Sequence, residues 1–94
     1  MEPGIFIATS GIEPGRSFVF SAMDGKETWQ IHFDVLLKGK HPNKRLQDHI
    51  RKNPTDDFSV RLLFACNKNE MVHYTQHFIN QLKPYFNTKP QRKK

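Results

Sequence analysis

A chain of 94 residues, 36% of them hydrophobic, has room for one domain with a single core. Its one cysteine, Cys66, excludes an internal disulfide and a metal site built on several thiolates. The formal net charge of +6 favours a polyanionic partner, with nucleic acid the first class to consider and an acidic protein the second. No apolar run approaches the roughly 20 residues that span a bilayer, and no signal-like stretch opens the chain. We therefore expect a soluble, cytoplasmic protein.

Two short apolar runs open the chain. Residues 4–8 (GIFIA) and 17–21 (SFVFS) are rich in β-prone residues, and the segment between them contains Pro14 and Gly15. This pattern predicts an antiparallel hairpin with Arg16 at the entry to its second strand.

Two helices are predicted next. Asp24 is a candidate N-cap, and apolar residues recur at helical spacing from there until Gly39. A second, mostly polar segment, residues 43–52, places Leu46 and Ile50 on one face and basic residues on the other.

A third strand and a last helix complete the pattern. Residues 58–65 (FSVRLLFA) alternate and then become wholly apolar, as in a strand that runs from a sheet edge toward the core. The helix after Asn67 or Asn69 repeats apolar residues at helical spacing and ends before Pro84. The order ββααβα predicts an α/β domain, a small three-stranded sheet flanked by helices, over residues 1–87, with a basic flexible tail at residues 88–94.

This order of elements, together with several short sequence motifs, resembles the GIY-YIG endonuclease family. Gly4-Ile5-Phe6 stands at the first motif and Phe18-Val19-Phe20 at the second. Further matching segments are His32, residues 36–41 (LLKGKH), 43–47 (NKRLQ), 57–60 (DFSV), 76–84 (QHFINQLKP) and 86–87 (FN). The resemblance covers nearly the whole chain and implies the GIY-YIG fold.

The resemblance also implies a chemistry: attack on a phosphodiester with one divalent metal, assisted by motif tyrosines, an arginine of the first helix and a glutamate of the last. The tyrosine supplies a hydroxyl, the arginine a fork of donors, and the carboxylate an oxygen ligand suited to Mg²⁺. This sequence departs from all of them. The substituted positions are Phe6, Phe18, Thr28 and Thr75, while His32, His41 and Asn87 remain at family-like positions.

We therefore expect a catalytically inactive GIY-YIG nuclease-like domain that binds nucleic acid, DNA rather than RNA being the expected form, without a metal or other cofactor. The retained histidines and Asn87 are interpreted as phosphate contacts. The predicted nucleic-acid-binding residues are Arg16, Lys38, Lys40, His41, Lys44, Arg45, Arg51 and Lys52.

Three alternatives stay open. The chain could be an active, divergent endonuclease that requires Mg²⁺, with His32 or His41 as general base. It could be an inhibitor or adaptor that acts through a protein partner, encoded by a phage or mobile element. His73 and His77, four residues apart, could also supply two ligands of a zinc site.

Overall fold

The structure, a computed structural model, describes residues 2–88 and has the predicted element order, ββααβα. The strands and helices are β1 (Gly4–Thr9), β2 (Ser17–Ala22), α1 (Gly25–Leu37), α2 (Lys44–Lys52), β3 (Ser59–Ala65) and α3 (Met71–Leu82). A single 3-10 turn, Lys68–Glu70, leads into α3. The α/β class and the small three-stranded sheet flanked by helices are confirmed. The predicted tail, apart from Thr88, lies outside the described residues.

The sheet has the order β2-β1-β3, and both of its strand pairs are antiparallel. The predicted hairpin is present, with Gly4 opposite Ala22 and Thr9 opposite Ser17. The third strand differs from its prediction, because it lies at an edge along its whole length. Its apolar end is only partly buried: Leu62 and Leu63 pack against the two core layers, whereas Phe64 is 38% exposed.

Alternating side chains divide the core between the two faces of the sheet. Phe6, Phe18 and Phe20 point to the face that α1 and α2 cover, whereas Ile5 and Val19 point to the face that α3 covers. The first of these layers also receives the predicted inward face of α2, Leu46 and Ile50, which is fully buried.

Side-chain caps fix where the helices begin. Asp24 accepts a hydrogen bond from the Glu27 amide, and Asn43 accepts one from the Leu46 amide. Helix α1 ends at Leu37, two residues before Gly39, which adopts a left-handed conformation with φ 74. No helix among residues 2–88 is long and apolar enough to cross a membrane.

Candidate nucleic-acid interface

Two histidines form a hydrogen-bonded pair beside the β1–β2 hairpin. His32 lies on α1 and His41 on the loop after it, and their rings join through His32 Nδ1 and His41 Nε2 at 2.9 Å. The Asn43 backbone N–H donates to His41 Nδ1 at 3.0 Å. Since an amide only donates, neutral His41 must carry its proton on Nε2 and donate it to His32. His32 then carries its own proton on Nε2, as a donor outside the pair.

The side chain of Gln47 fixes the loop that carries His41 to the end of α1 and to α2. The His41 backbone N–H donates to the Gln47 side-chain oxygen at 2.9 Å, and the Gln47 amide nitrogen donates to the Leu36 carbonyl at 2.8 Å. Gln47 is buried, so it joins the end of α1, the loop and α2 in one network. The resemblance pointed to the segment that contains Gln47 but not to this role.

Burial keeps both imidazoles of the pair neutral. Desolvation lowers the pKa of His32, and desolvation together with the charge of His32 lowers the pKa of His41. Each ring is only partly buried, so the effect is screened by water. The pair therefore offers one N–H donor at neutral pH rather than two positive charges.

Buried phenylalanines pack against the histidine pair. Phe18 meets the edges of both histidine rings, at centroid distances of 5.5 Å to His32 and 6.3 Å to His41. Phe6 and Phe20 stack beneath it and are buried with it. Rings enclosed in this way are not available for stacking on bases. At the two positions that the resemblance aligns with the family's tyrosines, Phe6 and Phe18, the chain thus presents packed hydrocarbon instead of hydroxyls.

The other two substituted positions lie on helices. Thr28 is half-buried on α1, one turn before His32. Thr75 lies on α3, where neighbouring side chains pack against the opposite face of the sheet, and its hydroxyl is buried without a hydrogen-bond partner in the described chain.

This donor set does not fit the Mg²⁺ that the family implies. The carboxylate position holds one neutral hydroxyl, and residues 2–88 contain no cluster of three His, Cys, Asp or Glu side chains suited to a metal ion. His73 and His77 are exposed on α3, likewise outside any such cluster within the described part.

Asn87 is engaged by the backbone of an edge strand. Its side-chain oxygen accepts from the Val19 N–H at 2.6 Å, and its side-chain nitrogen donates to the Val19 carbonyl at 2.8 Å. The Phe86 N–H donates to the Ser17 carbonyl at 3.0 Å beside it. The segment after α3 therefore covers the free edge of β2, and both ends of the Asn87 amide are used there.

The predicted basic residues fall into two groups. The exposed group follows α1 and lines the outer face of α2. Its members are Lys38, Lys40, Lys44, Arg51 and Lys52. Arg51 also bonds Asp48 at 3.3 Å, in an exposed pair that contributes little to stability.

The second group is a half-buried cluster that we call the tyrosine clamp: Arg16, Tyr85 and Arg45. Both guanidinium groups lie over the Tyr85 ring, at 4.3 and 4.4 Å from its centroid. The sequence predicted the two arginines as phosphate contacts but did not predict the tyrosine that both of them contact. Tyr85 lies between the matched segments 76–84 and 86–87, so the resemblance gave no signal for it.

A buried polar network lies beneath the β1–β2 loop. Asp56 accepts hydrogen bonds from Ser10 Oγ at 2.5 Å and from His49 Nε2 at 2.6 Å, and its other oxygen accepts the amides of Gly11 and Ile12. Ser10 and His49 both approach the same carboxylate oxygen, and all three side chains are buried. This arrangement ties the loop to the end of α2 and gives no exposed nucleophile.

Two solved structures share the architecture of this chain. The catalytic domain of the homing endonuclease I-TevI superposes with a TM-score of 0.73 and 25% identity, covering 87% of this chain and 89% of that chain. A Glu-to-Ala mutant of the catalytic domain of intron endonuclease I-TevI gives a TM-score of 0.79 and 25% identity, covering 96% and 93%. No protein-family model and no curated protein matches the sequence.

The chain therefore has the fold of a GIY-YIG nuclease catalytic domain. The resemblance predicted from its sequence is confirmed by the similarity to I-TevI, which extends over most of both chains.

Proposed function

We propose that this chain is a catalytically inactive GIY-YIG nuclease-like domain that binds nucleic acid, DNA in the first place, through a basic surface. One observation carries the proposal: the family's tyrosine positions are packed phenylalanines, while cations remain exposed along α2. The fold is thus kept and the chemistry is lost. We place such a domain in the cytoplasm, and its basic, compact character suits a phage or mobile-element protein.

Each lost group had a separate part in cleavage. Proton transfer and electrostatic stabilisation each contribute on the order of 10²–10⁴ in rate, so losing several of them abolishes measurable turnover. Neither Phe6 nor Phe18 can take a proton, and neither Thr28 nor Thr75 can replace a guanidinium or a carboxylate.

The binding part rests on charge and position. Lys44, Arg51 and Lys52 share the outer face of α2, because positions seven and eight residues apart return to the same side of a helix. The structural neighbours are catalytic domains of endonucleases, enzymes whose substrates carry a phosphate backbone. Exposed cations beside the site at which an endonuclease holds its substrate can bind the phosphates that flank that site.

A paired assay tests both parts. One labelled duplex and its single strand are scored for mobility shift and for cleavage, with Mg²⁺ or Mn²⁺, at two salt concentrations. We expect binding that weakens steeply with salt and no product in any lane. Cleavage that depends on the metal would refute the proposal that the domain is inactive. An affinity that does not change with salt concentration would refute binding through the basic surface.

Matched variants localise the binding. Lys44→Ala, Arg51→Ala and Lys52→Ala together remove three cations from α2, and the slope of log affinity against log salt should fall by about 3. The control removes three exposed cations elsewhere, at Lys26, Arg61 and Lys68, and leaves the same net charge. Equal losses from both variants would mean that only overall charge matters.

The histidine pair favours a second candidate, an active divergent endonuclease. An imidazole held neutral can accept a proton at pH 7, but both acceptor nitrogens of the pair are already hydrogen-bonded, so this candidate requires the bond between His32 and His41 to open and free His32 Nδ1. This candidate predicts metal-dependent cutting that is lost in both His32→Ala and His41→Ala. Absence of cutting by the unaltered protein eliminates it. If neither binding nor cutting occurs, an inhibitor or adaptor that acts on a protein partner becomes the leading assignment.

A further inference from the structure

The tyrosine clamp brings two cations together on one ring. The distances of 4.3 and 4.4 Å from the Tyr85 centroid mean that the guanidinium carbons of Arg16 and Arg45 lie no further apart than these two distances combined. Cations at such distances from a ring face are attracted by its quadrupole. Tyr85 therefore gathers two like charges that would otherwise move apart in solvent.

Hydrogen bonds anchor Arg45, and an ion pair anchors Arg16. Arg45 donates through Nη1 to the Tyr85 carbonyl at 2.9 Å and to the Thr88 hydroxyl at 3.2 Å. Arg16 pairs through Nε with Glu13 at 3.2 Å. Within residues 2–88, Nε and Nη2 of Arg45 and the terminal nitrogens of Arg16 make no hydrogen bond. Each guanidinium is anchored at one nitrogen and keeps donors for a ligand.

The charges of the clamp do not cancel. Glu13 is the one carboxylate of residues 2–88 that pairs with either arginine, so the cluster retains a net positive charge. The two guanidinium groups repel each other at this separation, and backbone phosphates that accept from their free donors offset the repulsion. A phosphate suits this arrangement because guanidinium donors match its oxygens in planar, paired geometry.

The position of the clamp connects it to the histidine pair. Arg16 immediately precedes β2, and the Asn43 side chain donates to the Phe86 carbonyl while its backbone donates to His41. The same segment of chain thus borders both the clamp and the histidines. A nucleic-acid strand that passes the histidine pair along this segment would meet the clamp as well.

We propose that Arg16, Tyr85 and Arg45 form one phosphate-binding subsite, in which Tyr85 is a positioning residue that holds two guanidinium groups for the backbone of a bound strand. The inference rests on the proposed nucleic-acid binding and extends it. It assigns to Tyr85 a role separate from base stacking. It also makes the two arginines act together rather than as independent surface charges.

The test compares Tyr85→Leu with Tyr85→Phe on the labelled duplex and single strand, titrated at several salt concentrations. The Tyr85 hydroxyl makes no hydrogen bond within the described chain, so Tyr85→Phe should bind within about twofold of the unaltered protein, since its ring still attracts the cations. Tyr85→Leu keeps every charge, yet it should bind about tenfold more weakly, with the salt slope reduced by about 1 to 2. Urea unfolding, followed by Trp29 fluorescence, verifies that each variant is folded.

Two charge-conserving variants keep the test valid if Tyr85→Leu does not fold. Arg16→Lys and Arg45→Lys retain the positive charge but lose the planar fork, and each should weaken binding severalfold. Removing the arginines singly and together should give non-additive losses in the presence of Tyr85 and additive losses in the Tyr85→Leu background.

The outcomes separate the two proposals. If the unaltered protein binds in a salt-sensitive way and folded Tyr85→Leu binds equally well, or if both lysine variants do, the clamp is refuted and the basic surface stands. If the unaltered protein binds neither duplex nor single strand, the proposed function and the clamp both fall.

Discussion

Replacing Asp56 by alanine should cost this domain a large part of its stability. The change removes the carboxylate that accepts from Ser10 Oγ and His49 Nε2 and leaves these buried groups only their long 3.4 Å contact with each other, while the amides of Gly11 and Ile12 lie in an exposed loop and can bind water. Leaving a buried donor unpaired costs about 1–3 kcal/mol, and two buried donors lose their carboxylate acceptor here. We expect the free energy of unfolding to fall by about 3–5 kcal/mol, against a total of about 5–14 kcal/mol for a domain of this size.

Urea unfolding measures this change directly, because Trp29 is the only tryptophan and lies buried among aromatic rings. The control is Asp57→Ala, which removes the neighbouring, exposed carboxylate and should alter stability by no more than about 0.5 kcal/mol. A loss below about 1 kcal/mol for Asp56→Ala, or equal losses for both variants, would contradict the reasoning from buried donors.

The same carboxylate should shape the acid side of the stability profile. Burial alone would raise the pKa of Asp56, but hydrogen bonds from His49, Ser10 and the loop amides outweigh it and lower the pKa. Its contribution to stability is therefore complete above the pKa of the unfolded chain and is lost as pH falls through the lower, folded pKa. Asp56→Ala should therefore make the free energy of unfolding less dependent on pH between the unfolded and folded pKa values of Asp56.

Three further predictions concern the hairpin and the histidines. Asn87→Ala should lower the free energy of unfolding by about 1–3 kcal/mol, because it leaves both polar groups of Val19 unpaired, whereas exposed Asn69→Ala should be neutral in the same urea experiment. Phe6→Tyr should destabilise the protein by about 1–3 kcal/mol without producing cleavage, because the fully buried ring has no partner for a hydroxyl; an unchanged unfolding midpoint would show that the site admits one. Histidine ¹⁵N spectra across a pH titration should show the neutral rings of His32 and His41 both protonated on Nε2, and His41 protonated on Nδ1 would contradict the assigned pair. Because the pKa values of both histidines are lowered in the folded protein, the free energy of unfolding should decline as pH falls below the pKa of an unfolded histidine.

Local pattern was enough to determine the elements of this fold. Runs of β-prone apolar residues define β1 and β2, helical spacing defines α1 and α3, and Asp24 acts as the cap that its position predicted. These features depend on residues within a few positions of one another, so the sequence displays them directly. The resemblance to the nuclease family likewise followed from the order and spacing of short sequence motifs.

Tertiary structure decided how the site is built. Asp56 reaches Ser10 across 46 residues and Asn87 reaches Val19 across 68, and Tyr85 meets Arg16 over a comparable separation. No periodicity encodes such pairs, because they form only after β2, α2 and the segment following α3 converge. For the same reason, the sequence could not predict that β3 lies wholly at an edge, that Asn87 is occupied by backbone, or that one tyrosine gathers two arginines.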